Sequence, residues 1–134
     1  MALPDIPVVA EAGGLTDNAR AVLLEIETLL DSLLRTGEGG IVDIRGLPLT
    51  PADHRWLLEQ LGKGEVVIDM DIGGHSGIRE TAFPGVWWVT HRDERDNPVS
   101  EFIQVAYVPE LISAHPDDVE SGLEHLKNRI SSLD

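Results

Sequence analysis

Trp87 and Trp88 stand side by side in the stretch "ETAFPGVWWV", Glu80 to Val89. On a strand, neighbouring side chains point to opposite faces of the sheet, so the two indoles cannot enter one single-sided core. Such a ring buries about 150–250 Å² when covered, and a sheet with one wet face would leave that area exposed. One ring is therefore expected deep in the core. The other is expected on a second apolar surface, covered by further helices, a second copy or a client protein. Trp88 shares its parity with Val86 and Trp87 with Val89, which leaves open which ring faces inward.

The rest of the chain indicates what packs around that strand. Residues 1–16, with Pro4, Pro7 and the pair Gly13 and Gly14, read as an extended arm, and residues 17–134 as one domain. From Asp17, placed as N-cap, Val22, Leu23, Ile26, Leu29, Leu30 and Leu33 recur at helical spacing until Gly37. This predicts an amphipathic helix with Leu30 in the core. "GGIVDIRG" predicts a short strand over Ile41 to Ile44. A second helix follows, with Thr50 as N-cap, Pro51 at its first position and Gly62 as terminator. Gly62 is expected in the left-handed conformation, and Gly64 is expected to let the chain enter the next strand at once. "KGEVVIDMDIGG" alternates, placing Val66, Ile68, Met70 and Ile72 on one face and Glu65, Asp69 and Asp71 on the other.

The loop "GGHSG" then turns the chain into "IRETAFPGVWWVTHR", within which Pro84 and Gly85 interrupt regular pairing, and "DERDNP" turns it into "VSEFIQVAYV". Val119, Leu123, Leu126 and Ile130, behind Pro116, Asp117 and Asp118, predict a closing helix. The expected class is α+β: an antiparallel sheet of three long strands and one short strand, packed with about three α-helices.

Composition removes whole classes of chemistry. With no cysteine, the chain has no disulfide, no thiolate nucleophile and no Cys-ligated zinc or iron–sulfur cluster, and no cofactor is expected. His54, His75, His91, His115 and His125 are scattered without a metal-ligand spacing, so no metal site is expected. "GEGG" and "GKG" lack the ending of a phosphate loop, and Ser76 and Ser100 lack a nucleophile elbow. An enzyme would have to be built on groups such as Glu80 and His91. A binding module is favoured instead, and no catalytic residue is assigned. Ten Lys and Arg against 24 Asp and Glu give a net charge of −14, which repels phosphate backbones and anionic lipid but attracts a basic protein segment. The start, "MALPDIPVVAEAGG", has no basic leader, and no stretch approaches the roughly 20 apolar residues that span a bilayer. The reading is a cytoplasmic protein with neither nucleic acid nor membrane as partner.

Three pieces in order, "LGKGEVVIDM" (61–70), "ETAFPGVWWV" (80–89) and "EFIQVAYVPELI" (101–112), resemble the HupH family of hydrogenase expression proteins, in its C-terminal conserved domain. The likeness runs over about Leu47 to Ile130. It implies an accessory protein without a known reaction, an assembly chaperone for uptake nickel–iron hydrogenases. Its client would be the iron–sulfur small subunit, or that subunit's twin-arginine leader, before export. Family members are typically longer, with two related halves, and a homodimer of this chain would restore that arrangement. A generic dimeric interaction module with another client is the alternative. Trp87, Trp88, Glu80 and Phe83 are the partner-binding candidates, and Gly62, Gly64, Pro84 and Gly85 the structural turns.

Overall fold

The computed structural model describes residues 14–71 and 73–134; most of the expected arm, and Ile72, lie outside the described residues. Helix α1, Asp17–Thr36, begins one residue earlier than Asp17 as N-cap would place it. Thr16 is the cap: its backbone is extended and its hydroxyl accepts from the Asn18 N–H at 3.2 Å, so Asp17 is already helical. Gly37 closes the helix in the left-handed region, φ 83 and ψ −1, with its N–H on the Leu33 carbonyl. Ala19, Val22, Ile26 and Leu33 form the buried face. Leu30 is only half-buried at its margin, so it is not the core residue that the periodicity suggested.

Strand β1, Gly40–Asp43, leads to α2, Pro51–Leu61. A reciprocal capping box starts α2: the Asp53 N–H donates to the Thr50 hydroxyl, and the Thr50 N–H donates to the Asp53 carboxylate. Gly62 ends it with positive φ (64°) but ψ of −157°, which lies outside the left-handed helical basin and in a region open essentially to glycine. Gly64 does not open directly into a strand. It lies against the next hairpin, its N–H on the Glu80 carbonyl at 2.8 Å, and a Cβ there would run into Glu80 and the Thr81 carbonyl.

Four strands follow: β2, Val67–Asp71; β3, His75–Glu80; β4, Val86–Arg92; and β5, Pro98–Val105. With β1 they form one antiparallel sheet in the order β1-β5-β4-β3-β2. The class is α+β as expected, but the sheet has five strands rather than three long and one short. The difference lies in "IRETAFPGVWWVTHR", which is two strands. The Val86 N–H bonds to the Phe83 carbonyl and the Thr81 N–H to the Val86 carbonyl, closing a tight connection that holds Pro84 and Gly85, the latter at φ 90.

Alternation does send the indoles to opposite faces, and both are buried, Trp88 at 5 % exposure and Trp87 at 8 %. Trp88 joins Val86, Ile103 and Val105 beneath α1 and α2 in the main core. Trp87 packs with Ile78 and Val89 on the other face, flanked by Ile68, Met70, Phe102 and Leu111. Leu111 comes from the 3₁₀ turn Glu110–Ile112, which is tied down by the Glu110 N–H on the Gln104 side chain. Helix α3, Pro116–Ser132, forms where its periodicity placed it, yet every residue of it is exposed and it closes nothing.

Candidate functional site

Helices α1 and α2 cover the β1, β5 and β4 side of the main-core face and stop at Leu61. Beyond them no element among the described residues covers the sheet through β3 and β2. Register decides what lies there. Val67 pairs with Arg79 and Arg79 with Trp88, so these three share the Trp88 face, together with Asp69, Gly77 and Thr90. The result is a trough in two connected depressions. One, of about 180 Å³, lies between the end of α2 (Leu58, Leu61, Lys63) and Val67, Arg79 and Trp88. The other, of about 400 Å³, continues along Val67, Arg79 and Trp88 to His75, Thr90 and Arg92. Its floor is mostly apolar in the first depression and mixed in the second, and the cations Lys63, Arg79 and Arg92 outnumber the carboxylates of Asp69 and Glu80 along it, against the sign of the chain as a whole. At its far end the two hairpin turns gather Asp71, Asp93, Glu94 and Asp96 around a further depression of about 340 Å³. Hydrogen bonds from Asn97 and Arg95 hold the Asp93 carboxyl below its ordinary pKa, so it carries charge.

Behind the trough, Trp88 donates its indole N–H to Glu101 at 2.9 Å. The other Glu101 oxygen meets His54 Nε2 at 2.8 Å, and the His54 ring stands edge-on to the indole at 5.4 Å. This triad fixes the ring that floors the trough. Nearby, Asp53 joins the starts of both helices. Its carboxylate accepts from the Thr16 N–H at 2.6 Å, the Thr16 hydroxyl at 2.7 Å and the Thr50 N–H at 3.0 Å. Burial acts to raise its pKa, but these donors outweigh it and hold the carboxyl below the ordinary value.

The four sequence candidates are not one cluster. Trp87 lies on the opposite face from Trp88, its N–H on the Ala106 carbonyl at 3.0 Å. Glu80 is occupied by the backbone: its carboxylate accepts from the Glu65 and Val66 N–H groups at 2.8 and 3.2 Å, clamping the segment that follows α2. Phe83 is half-exposed at the tip of the β3–β4 connection. Glu80 and His91 sit opposite Trp87 and Ser76 respectively, four ladder positions apart, or roughly 13 Å at strand rise. They do not converge as an acid–base pair. The Ser76 hydroxyl does meet His91 Nδ1 at 2.6 Å, but Ser76 is 2 % exposed and offers no open nucleophile. Among the described residues no group of three His, Asp or Glu side chains is arranged to hold a metal, and no helix is long and apolar enough to cross a membrane. Lys63, Val67, Arg79, Thr90 and Arg92 were not found from the sequence. The parity that Val67, Arg79, Thr90 and Arg92 share with Trp88, once pairing is known, brings those four together, and Lys63 joins them from the end of α2.

Comparison with known proteins places this arrangement. Residues 16–133 match the family described as HupH hydrogenase expression protein, C-terminal conserved region. A solved structure, the hydrogenase expression protein HupH from Thiobacillus denitrificans, superposes with a TM-score of 0.82 at 43 % identity, over 87 % of this chain and 98 % of that one. The hydrogenase expression/formation protein HoxQ of Azotobacter vinelandii is 31 % identical over 87 % of this chain, and HupQ of Azotobacter chroococcum is 29 % identical over the same share. This chain spans 42 % of the length of each of those two relatives. By its sequence and its five-stranded α+β fold alike, the chain belongs to the HupH family of hydrogenase expression proteins, as a form of that family's C-terminal conserved region.

Proposed function

We propose that the protein is a non-enzymatic accessory factor, an assembly chaperone, in the maturation of an uptake nickel–iron hydrogenase. It holds the iron–sulfur small subunit, through its twin-arginine leader, before export. Relatives named for hydrogenase expression and formation support the pathway. The observation that carries the client reading is the order of chemistry along the trough: an apolar patch at Val67 and Trp88, with Arg79 and Arg92 beside it, leading to the acidic hairpin ends at Asp71, Asp93, Glu94 and Asp96. A leader has the matching order, a basic n-region followed by an apolar stretch. Its apolar part lies over Val67 and Trp88, and its arginines face the carboxylates. Among the described residues β2 is an edge strand, paired only with β3, so an extended client segment also has backbone groups to pair with.

Pull-down from cells making the small subunit tests this. The parent chain retains the subunit, whereas Val67→Asp, which sets a charge on the apolar floor at an exposed position, retains little. Deleting the leader from the client abolishes capture. Capture that is indifferent to both changes would refute the trough as the client site. Capture of a different protein that is lost in Val67→Asp would transfer the site to the generic interaction reading.

A further inference from the structure

Helix α3 and its C-cap residue present Val119, Leu123, Leu126, Ile130 and Leu133 on one stripe, spaced four, three, four and three, and each is more than half exposed. That is the heptad seam of a paired helix, not the wider stripe of a helix lying on a globular core. Most helical stability in proteins comes from packing an amphipathic face, and this 17-residue helix packs none of its own against the described residues. This one also holds Gly122 in its interior, where glycine costs about 1 kcal/mol relative to alanine. A Cβ at Gly122 would meet nothing within 4 Å, so no packing among the described residues requires it. Gly122 flanks the seam, where a small residue lets a second helix approach closely.

We infer that α3 pairs antiparallel with α3 of a second copy. Charge selects both the orientation and the register. With Leu123 facing Leu126 of the second copy, and Val119 facing Ile130, Glu120 lies beside Lys127 of the second copy, and two-fold symmetry supplies the pair twice. Sliding one heptad in one direction sets Glu120 against its own copy; sliding in the other sets Lys127 against its own. A parallel pair leaves Glu120 opposite His115 and Lys127 opposite Gly122. It gains only Arg129 against Asp134, which lies beyond the helix end. Lys127 is held at home only by an exposed contact with Glu124 at 3.5 Å, a pair weak enough to be exchanged. Five half-exposed side chains on each helix, at roughly 60–100 Å² apiece, bring the two-helix seam to about 600–1,000 Å², below the standard stable interface. The dimer is therefore a weak one, dissociating in the micromolar range.

Sedimentation equilibrium of the full chain across about 1–200 µM reads this directly. The parent converts from monomer to dimer, and the double variant Leu123→Glu, Leu126→Glu stays monomeric, weakened roughly a hundredfold or more. Its tryptophan fluorescence and denaturation midpoint stay at parental values, because α3 lies outside the core. Glu120→Lys and Lys127→Glu each weaken the dimer several-fold, and together they restore it. A parent that remains monomeric to the top concentration overturns the inference, whether residues 1–13 or a client covers the stripe. A dimer that survives the double Glu variant overturns it as well. Single charge reversals that the double does not rescue overturn the antiparallel register.

Discussion

Asp53→Asn removes one charge and changes one atom, and its cost can be worked from three hydrogen bonds. In the parent, one carboxylate oxygen accepts from the Thr16 N–H, and the other accepts from the Thr16 hydroxyl and the Thr50 N–H. The side chain is fully buried. The Thr16 hydroxyl can reverse its role, but the two backbone N–H groups cannot. Whichever way the asparagine amide is turned, its NH₂ faces one of them, leaving that donor without its partner. An orphaned buried donor costs about 1–3 kcal/mol, and the two remaining bonds weaken because the acceptor is no longer charged. The expected loss is roughly 2–3 kcal/mol at neutral pH, a large part of the ~5–15 kcal/mol that holds an ordinary domain. It acts on the starts of α1 and α2 together. The pH dependence has a definite sign. The folded carboxyl sits below the ordinary value of 3.8, so its contribution is fully present above that pH and is lost as pH falls through the lower folded value. Urea denaturation of parent and variant from pH 7 down to pH 3 tests both parts. The gap between midpoints should be widest at pH 7 and narrow in acid. Equal midpoints at pH 7, or a gap that widens on acidification, would refute the argument.

Three further substitutions probe the core on either side of the sheet. Leu57 is completely buried on the inner face of α2, so Leu57→Ala should cost about 2–5 kcal/mol in chemical denaturation; a loss under 1 kcal/mol would mean that the neighbouring residues collapse into the space. Trp88→Phe keeps a ring but strips Glu101 of a hydrogen bond to a charged acceptor, at about 1.5–3 kcal/mol, while Trp87→Phe loses only a bond to a neutral carbonyl, at about 0.5–1.5 kcal/mol. The Trp88 variant should therefore be the less stable of the two in urea, and the reverse order would count against the Glu101 contact as the stronger.

Features that depend on local backbone chemistry were legible in the sequence. Thr50, Pro51 and Gly62 mark both ends of α2 because a cap needs a hydroxyl, a fixed φ and a positive φ within a few residues of the helix. The α1 stripe was legible for the same reason, although its cap fell one residue earlier, since Thr16 and Asp17 can both accept from the first turn. The division of the Trp87 and Trp88 rings followed from alternation alone. What the sequence did not reveal depends on partners far along the chain. Arg79 faces Trp88 only because β3 and β4 are separate strands in one register, and that register comes from the Thr81–Val86 connection. Glu101 sits in neither neighbour's motif, yet it joins His54 and Trp88 across two elements.

The trough itself links the two kinds of information. Its near wall is the end of α2, and α2 ends at Leu61 because Gly62 takes a conformation that closes the helix and turns the chain away. Gly64 then lies flat against the β3–β4 hairpin, and Glu80 clamps the two N–H groups that follow it. Had the helix run on by one more turn, about 5.4 Å, it would have covered Val67 and Arg79 and joined Trp88 to an unbroken core. The short stretch "LGKGE" thus determines how much of the sheet stays open beside Trp88. A local stop signal, readable from two glycines, sets the width of a trough whose floor becomes apparent only from the pairing of three strands.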